Sequence, residues 1–149
     1  MSRKGWIYLG FFTGLVLIFY FVLTRVIPGF SDKKVAPVSF VRPFSFTNQD
    51  GRQVTEKEVE GKVHAVEYFF TTCKGICPKM NKNMRLVYNA LKEEKDFLIL
   101  SYTCDPETDS VPKMKHYADS MAVDTKKWIF LTGRKDSLYN MARISYTID

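Results

Sequence analysis

Three short apolar runs set what this chain can fold into: residues 63–70, 97–100 and 128–131. Runs of this length without polar alternation suit strands covered on both faces, as in parallel sheets. Stretches of helical period separate them. Met80, Met84, Val87, Tyr88 and Leu91 recur at the spacing of one helix face, and Met114, Tyr117, Ala118 and Met121 do the same further on. A third helical stretch, residues 135–145, turns Leu138, Met141 and Ala142 to one side. Each connection is long enough for a crossover, so the expected fold is α/β with a parallel-rich sheet. Upstream, Phe44-Ser45-Phe46 reads as a short strand, Asp50-Gly51 as a hairpin turn and Arg52-Gln53-Val54 as the return. Thr55 and Glu58 form a capping-box pair for a short helix that Gly61 stops.

The run 63–70 is predicted to be a central strand, and Glu67 is an anomaly within it. Either its carboxylate reaches solvent or a lysine at an edge or strand end, or it supports the chemistry that follows directly in sequence. That chemistry is Cys73 and Cys77, in Thr71-Thr72-Cys73-Lys74-Gly75-Ile76-Cys77-Pro78. The stretch lies where a strand ends and a helix begins. Pro78 suits a first helical turn, where a missing N–H costs little. The unpaired N–H groups and partial positive charge of a helix N-terminus favour thiolate over thiol, and Lys74 and Lys79 add to that. Thiolates bind soft metals and attack disulfides. At i, i+4 on a regular helix, Cβ atoms are roughly 5–6 Å apart. A disulfide wants about 3.5–4.5 Å. A disulfide here requires a non-helical loop, whereas a metal between the sulfurs tolerates the wider gap. Gly75 permits either. Met80 and Met84 thioethers could also bind a soft metal, but at core spacing they read as packing. Cys104 reads as a small apolar group at a strand end, or as a resolving thiol or extra soft ligand beside the loop. Asp109 or Ser110 caps the helix that carries Pro112 in its first turn.

Residues 5–24 contain no charged side chain. Twenty such residues cross a hydrocarbon core as a helix. Trp6, Tyr8 and Tyr20 suit the interface, and no small-x-small cleavage site closes the stretch. Residues 1–27 are therefore expected to be a signal-anchor, 28–43 a Pro- and Gly-containing linker, and 44–149 the folded domain. Four residues precede the uncharged stretch, Arg3 and Lys4 among them, which favours a short cytoplasmic tail and an exported domain, single-pass, in the inner membrane. The net charge of +6 is mostly a property of the first 34 residues, which hold five Lys/Arg against one Asp. The remainder holds 17 Lys/Arg against 15 Asp/Glu, a balance that gives no reason to invoke nucleic acid. Three cysteines are too few for a disulfide framework.

With these residues assembled, the chain resembles the Sco/SenC family of membrane-anchored copper chaperones. Four segments carry the resemblance in register. They are Phe46-Thr47-Asn48-Gln49-Asp50-Gly51 with Val54-Thr55 and Gly61-Lys62; Phe69-Phe70-Thr71-Thr72-Cys73-Lys74-Gly75-Ile76-Cys77-Pro78; Asp105-Pro106-Glu107-Thr108-Asp109; and Trp128-Ile129-Phe130-Leu131-Thr132-Gly133. The resemblance implies a thioredoxin-like fold, whose closing β-hairpin and final helix are not expected before Asp149. It implies copper, Cu(I) or Cu(II), held by Cys73 and Cys77 with a histidine as third ligand. Neither His64 nor His116 occupies the position of that histidine. It also implies a partner, the copper-accepting subunit of cytochrome c oxidase, whose dinuclear copper centre is assembled or reduced. Asp105 and Glu67 are the candidates to support the cysteines from behind. The alternatives are a thiol–disulfide oxidoreductase, with Cys73 attacking and Cys77 resolving, and an anchored adaptor whose cysteines form a fixed disulfide. Thioredoxin-type redox pairs have two intervening residues; this pair has three.

Overall fold

The computed structural model describes residues 3–26 and 40–148, which fall into two units. The first is helix α1, Arg3–Val26, whose apolar side chains from Trp6 to Val22 are exposed. At 1.5 Å per residue it is about 36 Å long, and it is long and apolar enough to cross a membrane. Most of the expected linker, residues 28–39, lies outside the described residues.

The second unit holds strands β1 Ser45–Asn48, β2 Gln53–Thr55, β3 Val63–Phe69, β4 Phe97–Thr103 and β5 Trp128–Thr132. Its helices are α2 Ile76–Leu91, α3 Val111–Met121 and α4 Lys135–Asn140, the last running on into a wider turn, Met141–Ser145. The sheet order is β2-β1-β5-β4-β3. Strands β3, β4 and β5 are parallel; β1 is antiparallel to both β2 and β5. The β1–β2 turn forms as its sequence predicts: Gly51 takes a φ of 78°, and the Asn48 Oδ1 accepts the Asp50 and Arg52 amides. Glu58 accepts the Thr55 amide and hydroxyl, and the short helix there is one 3-10 turn, Glu56–Glu58, with Gly61 at φ 73°.

Alternation along the strands divides the core. On one face Phe69, Ile99, Trp128 and Phe130 pack with Cys77, Tyr88, Met114 and Ala118 of α2 and α3. On the other, Phe46, Leu98, Leu100, Tyr102, Ile129 and Leu131 pack with Leu138 and Met141. Phe69 stacks on Tyr117, and Trp128 on Phe130. Two expectations need correction. All seven residues of β4 are buried, whereas β3 is an edge strand of the described sheet, with Val63 exposed. An apolar run reports covered faces, not a hydrogen-bonded neighbour on each side. On α2, Tyr88 is buried while Val87 is 37% exposed, because two adjacent residues differ by about 100° around a helix and only one can lie over the sheet.

Candidate metal centre

The β3 chain leaves the sheet at Phe69 and reaches the α2 N-terminus at Ile76 through a six-residue loop. Its turn closes through the Cys73 amide, which donates to the Phe70 carbonyl at 3.1 Å. Cys73 thus comes to lie against the first turn of α2, and the Cys77 amide donates to its Sγ at 3.4 Å. Both cysteines are free thiols, Cys73 half-buried and Cys77 buried.

Their electrostatics are unequal. The Cys77 S–H donates to Cys73, and the amides of Cys77, Gly75 and Ile76 point at the same sulfur, so the Cys73 thiol is held below its ordinary value. Burial, followed by that same hydrogen bond, pushes the Cys77 thiol up to about 11. The arrangement sets a thiol that is held low beside a buried thiol that is pushed up. It offers two adjacent soft donors, which suits a cation such as Cu(I). Among the described residues no group of three or more Cys, His, Asp or Glu side chains is placed to hold a metal. His64 lies on the opposite sheet face, 3.4 Å from the Tyr146 hydroxyl, and His116 is exposed on α3.

The loop is fixed from the β4–α3 connection, but through a residue whose sequence suggested only a helix cap. Asp109 is fully buried. Its carboxylate accepts the Thr71 amide at 3.1 Å, the Thr71 hydroxyl at 2.5 Å and the Thr103 hydroxyl at 2.6 Å, with the Lys113 ammonium 3.8 Å away. Ser110 is the N-cap position of α3. Asp105 is half-buried, and its amide donates to the Thr103 hydroxyl. The Cys104 amide donates to the Phe69 carbonyl, which places that cysteine at the end of β3, beside the loop. Burial and the Asp109 carboxylate raise its thiol above the ordinary value.

Glu67 meets neither solvent nor a lysine. It is 5% exposed, on the sheet face that carries the cysteines. Its Oε1 accepts the Ser101 hydroxyl, which in turn accepts the Trp128 indole N–H at 2.7 Å; among the described residues no hydrogen bond reaches its Oε2. Burial raises its carboxyl above the ordinary value. Tyr117 lies within electrostatic range of Glu67, Cys77 and Cys73, and its phenol accepts from Asn81 Nδ2. The helical period of α3 marked Tyr117 as inward-facing, and nothing in the sequence paired it with Asn81, 36 positions away.

The model of the SCO1/SenC family matches residues 32–149. The SCO1 protein homolog of Bacillus subtilis (strain 168) is 38% identical over 98 residues, which are 65% of this chain and 51% of that protein. The chain thus spans about half the length of this relative. BsSco, a member of the Sco family of cytochrome c oxidase assembly proteins in which a disulfide switch was identified, superposes with a TM-score of 0.69. It is 33% identical, over 79% of this chain and 71% of that one. The copper-bound ScoI of Arabidopsis thaliana superposes with a TM-score of 0.60 at 31% identity, over 70% and 65% respectively. The fold is accordingly thioredoxin-like. A cysteine pair at the first turn of α2, set in a sheet that these proteins share and matched by the family model over most of its length, makes this chain a member of the SCO1/SenC family.

Proposed function

We propose that this chain is a membrane-anchored copper carrier that binds copper through Cys73 and Cys77 and serves assembly of the dinuclear copper centre of cytochrome c oxidase. The observation that carries the reading is the unlinked, unequal thiol pair at the α2 N-terminus. A Cu(I) ion entering between the sulfurs takes up the Cys73 thiolate and displaces the Cys77 proton, so uptake releases protons and weakens as pH falls. Copper-bound relatives in the same family support this cargo. Residues 1–27 act as the anchor, 28–43 as the linker and 44–149 as the carrier domain, facing the exported compartment. Asp105 and Glu67 support the site from the Asp-Pro loop and from beneath α2.

A second reading, thiol–disulfide exchange on partner cysteines, draws on the same inequality. A depressed Cys73 is an attacking thiolate, and a buried Cys77 thiol is poised to resolve a mixed disulfide. One experiment separates the two. The reduced full chain is titrated with Cu(I) against a competing chelator, alongside stopped-flow exchange with a small disulfide. The carrier reading expects one Cu(I) per chain, lost in both Cys73→Ala and Cys77→Ala. It also expects Asp105→Ala to weaken Cu(II) retention more than it slows exchange. Metal content unchanged in both cysteine variants sinks the carrier reading. Exchange that collapses in Asp105→Ala while copper affinity holds transfers the function to the oxidoreductase.

A further inference from the structure

From Tyr68 to Lys92 the chain contains no carboxylate side chain, yet it carries Lys74, Lys79, Lys82, Arg85 and Lys92. Arg85 is engaged inward, donating to the Met121 carbonyl. Lys74, Lys79 and Lys82 are exposed, and none of them forms an ion pair among the described residues. They stand on the loop and first turns of α2, around the only half-buried thiol of the pair. The positive end of the helix dipole adds to their field. Apolar surface lies beside them: Ile76 is 66% exposed and Phe70 36% exposed. Lys57, Lys92, Lys95 and Lys126 are likewise exposed and outside any ion pair among the described residues, but none of them lies on the cysteine loop or the first turns of α2; Lys115 pairs with Asp50 and Asp119, and Lys135 with Glu107.

From this we infer that the α2 N-terminal face is the docking surface for an acidic partner protein, with Ile76 seated in an apolar recess of that partner and Lys74, Lys79 and Lys82 facing its carboxylates. The inference rests on the proposed carrier function and names the chemistry of the acceptor. Any group that takes metal from Cys73 must come within bonding distance of the metal held on its sulfur, so the residues flanking Cys73 are necessarily in the contact. Their charge is of one sign, so a basic acceptor is repelled and an acidic one is steered in, an effect that raises association rates by about 10–1,000-fold. In the transfer Cu(I) leaves two thiolates of this chain for two thiolates of the acceptor. No electron moves; as the acceptor thiols lose their protons, Cys77 regains the one it gave up on loading and the remainder passes to solvent.

The test uses the full chain in neutral detergent and two fluorescent peptides with the same Cys-x-x-x-Cys core, one flanked by Asp and Glu, the other by Lys. Anisotropy reads binding without copper; chelator-monitored transfer reads Cu(I) movement. The acidic peptide is expected to bind at least about tenfold more tightly at about 0.05 M salt, with the gap closing near 0.5 M as the field is screened. Lys79→Glu/Lys82→Glu reverses the preference, and Ile76→Ser weakens the acidic peptide at both salt concentrations. Equal binding of the two peptides, or a preference untouched by the double variant, overturns the inference. So does a result in which the double variant loses only affinity for micelles containing phosphatidylglycerol, which assigns the lysines to the membrane surface. Failure of the chain to hold Cu(I) at all counts against the carrier function, and the anisotropy result still decides the docking face.

Discussion

Asp109→Ala should cost this domain about 2–4 kcal/mol, more than any other single polar change near the site. The wild-type carboxylate is fully buried and accepts three hydrogen bonds, two from Thr71 and one from Thr103. Bonds to a charged acceptor contribute about 1.5–3 kcal/mol each, and three sharing one carboxylate do not add. In the alanine variant the two hydroxyls can rotate towards other acceptors, but the Thr71 amide cannot, and a buried orphan N–H costs about 1–3 kcal/mol. Removing the carboxylate also relieves its own desolvation, which sets the upper end of the range. Asp109→Asn should lose less, since its carbonyl oxygen still accepts, while its NH2 meets a hydroxyl that can turn to accept. The assay is urea unfolding of the full chain in mild detergent, followed by Trp128 emission in a Trp6→Phe background. With a slope of about 1–3 kcal/mol per M, a loss of 3 kcal/mol moves the midpoint down by roughly 1–3 M. A Thr71→Val/Asp109→Ala cycle should show coupling above about 0.5 kcal/mol. Midpoints within about 0.3 M of wild type for both Asp109 variants, with no coupling to Thr71, would refute the tether.

Alkylation of the reduced protein should label Cys73 first and at a pH below the ordinary thiol range, with Cys77 unreactive until pH approaches its value of about 11; mass spectrometry of timed samples checks the order. For Glu67, burial raises the folded-state carboxyl above its ordinary value. The folded chain therefore binds this proton more tightly than the unfolded chain does. The resulting stability is fully present below the unfolded value and is lost as pH rises through the folded one. Glu67→Gln should remove that loss, so its unfolding midpoint gains on wild type as pH rises from about 4; parallel pH profiles rule this out. Gly133→Ala would place a Cβ 2.7 Å from Phe46 Cδ1. Because that ring is buried against Tyr102, the clash should cost about 1–3 kcal/mol in the same urea assay. The mature protein should keep its first residues in the membrane fraction, and an N-terminus near residue 30 by Edman sequencing would contradict the anchor.

Local physics made much of this protein legible from its sequence. The 20 uncharged residues form one helix, the Asp50-Gly51 turn and the Thr55–Glu58 pair take their expected form, and the helix periods hold except at Val87, because each of these features acts within a few residues. The cysteine pair was legible for the same reason: a strand end, a loop and a helix start fall within eight residues. Tertiary structure decided what depends on distant partners. Periodicity tells a residue which face to bury, but not which strand lies beside it, so β3 proved to be an edge. Glu67 became a buried acid because β4 and β5 bring Ser101 and Trp128 beneath α2. Asp109 reaches Thr71 across 38 positions because parallel strands deliver their C-terminal ends to one side of the sheet. The same parity placed His64 on the far face, since successive strand residues point in opposite directions and no loop adjustment can bring it to the thiols.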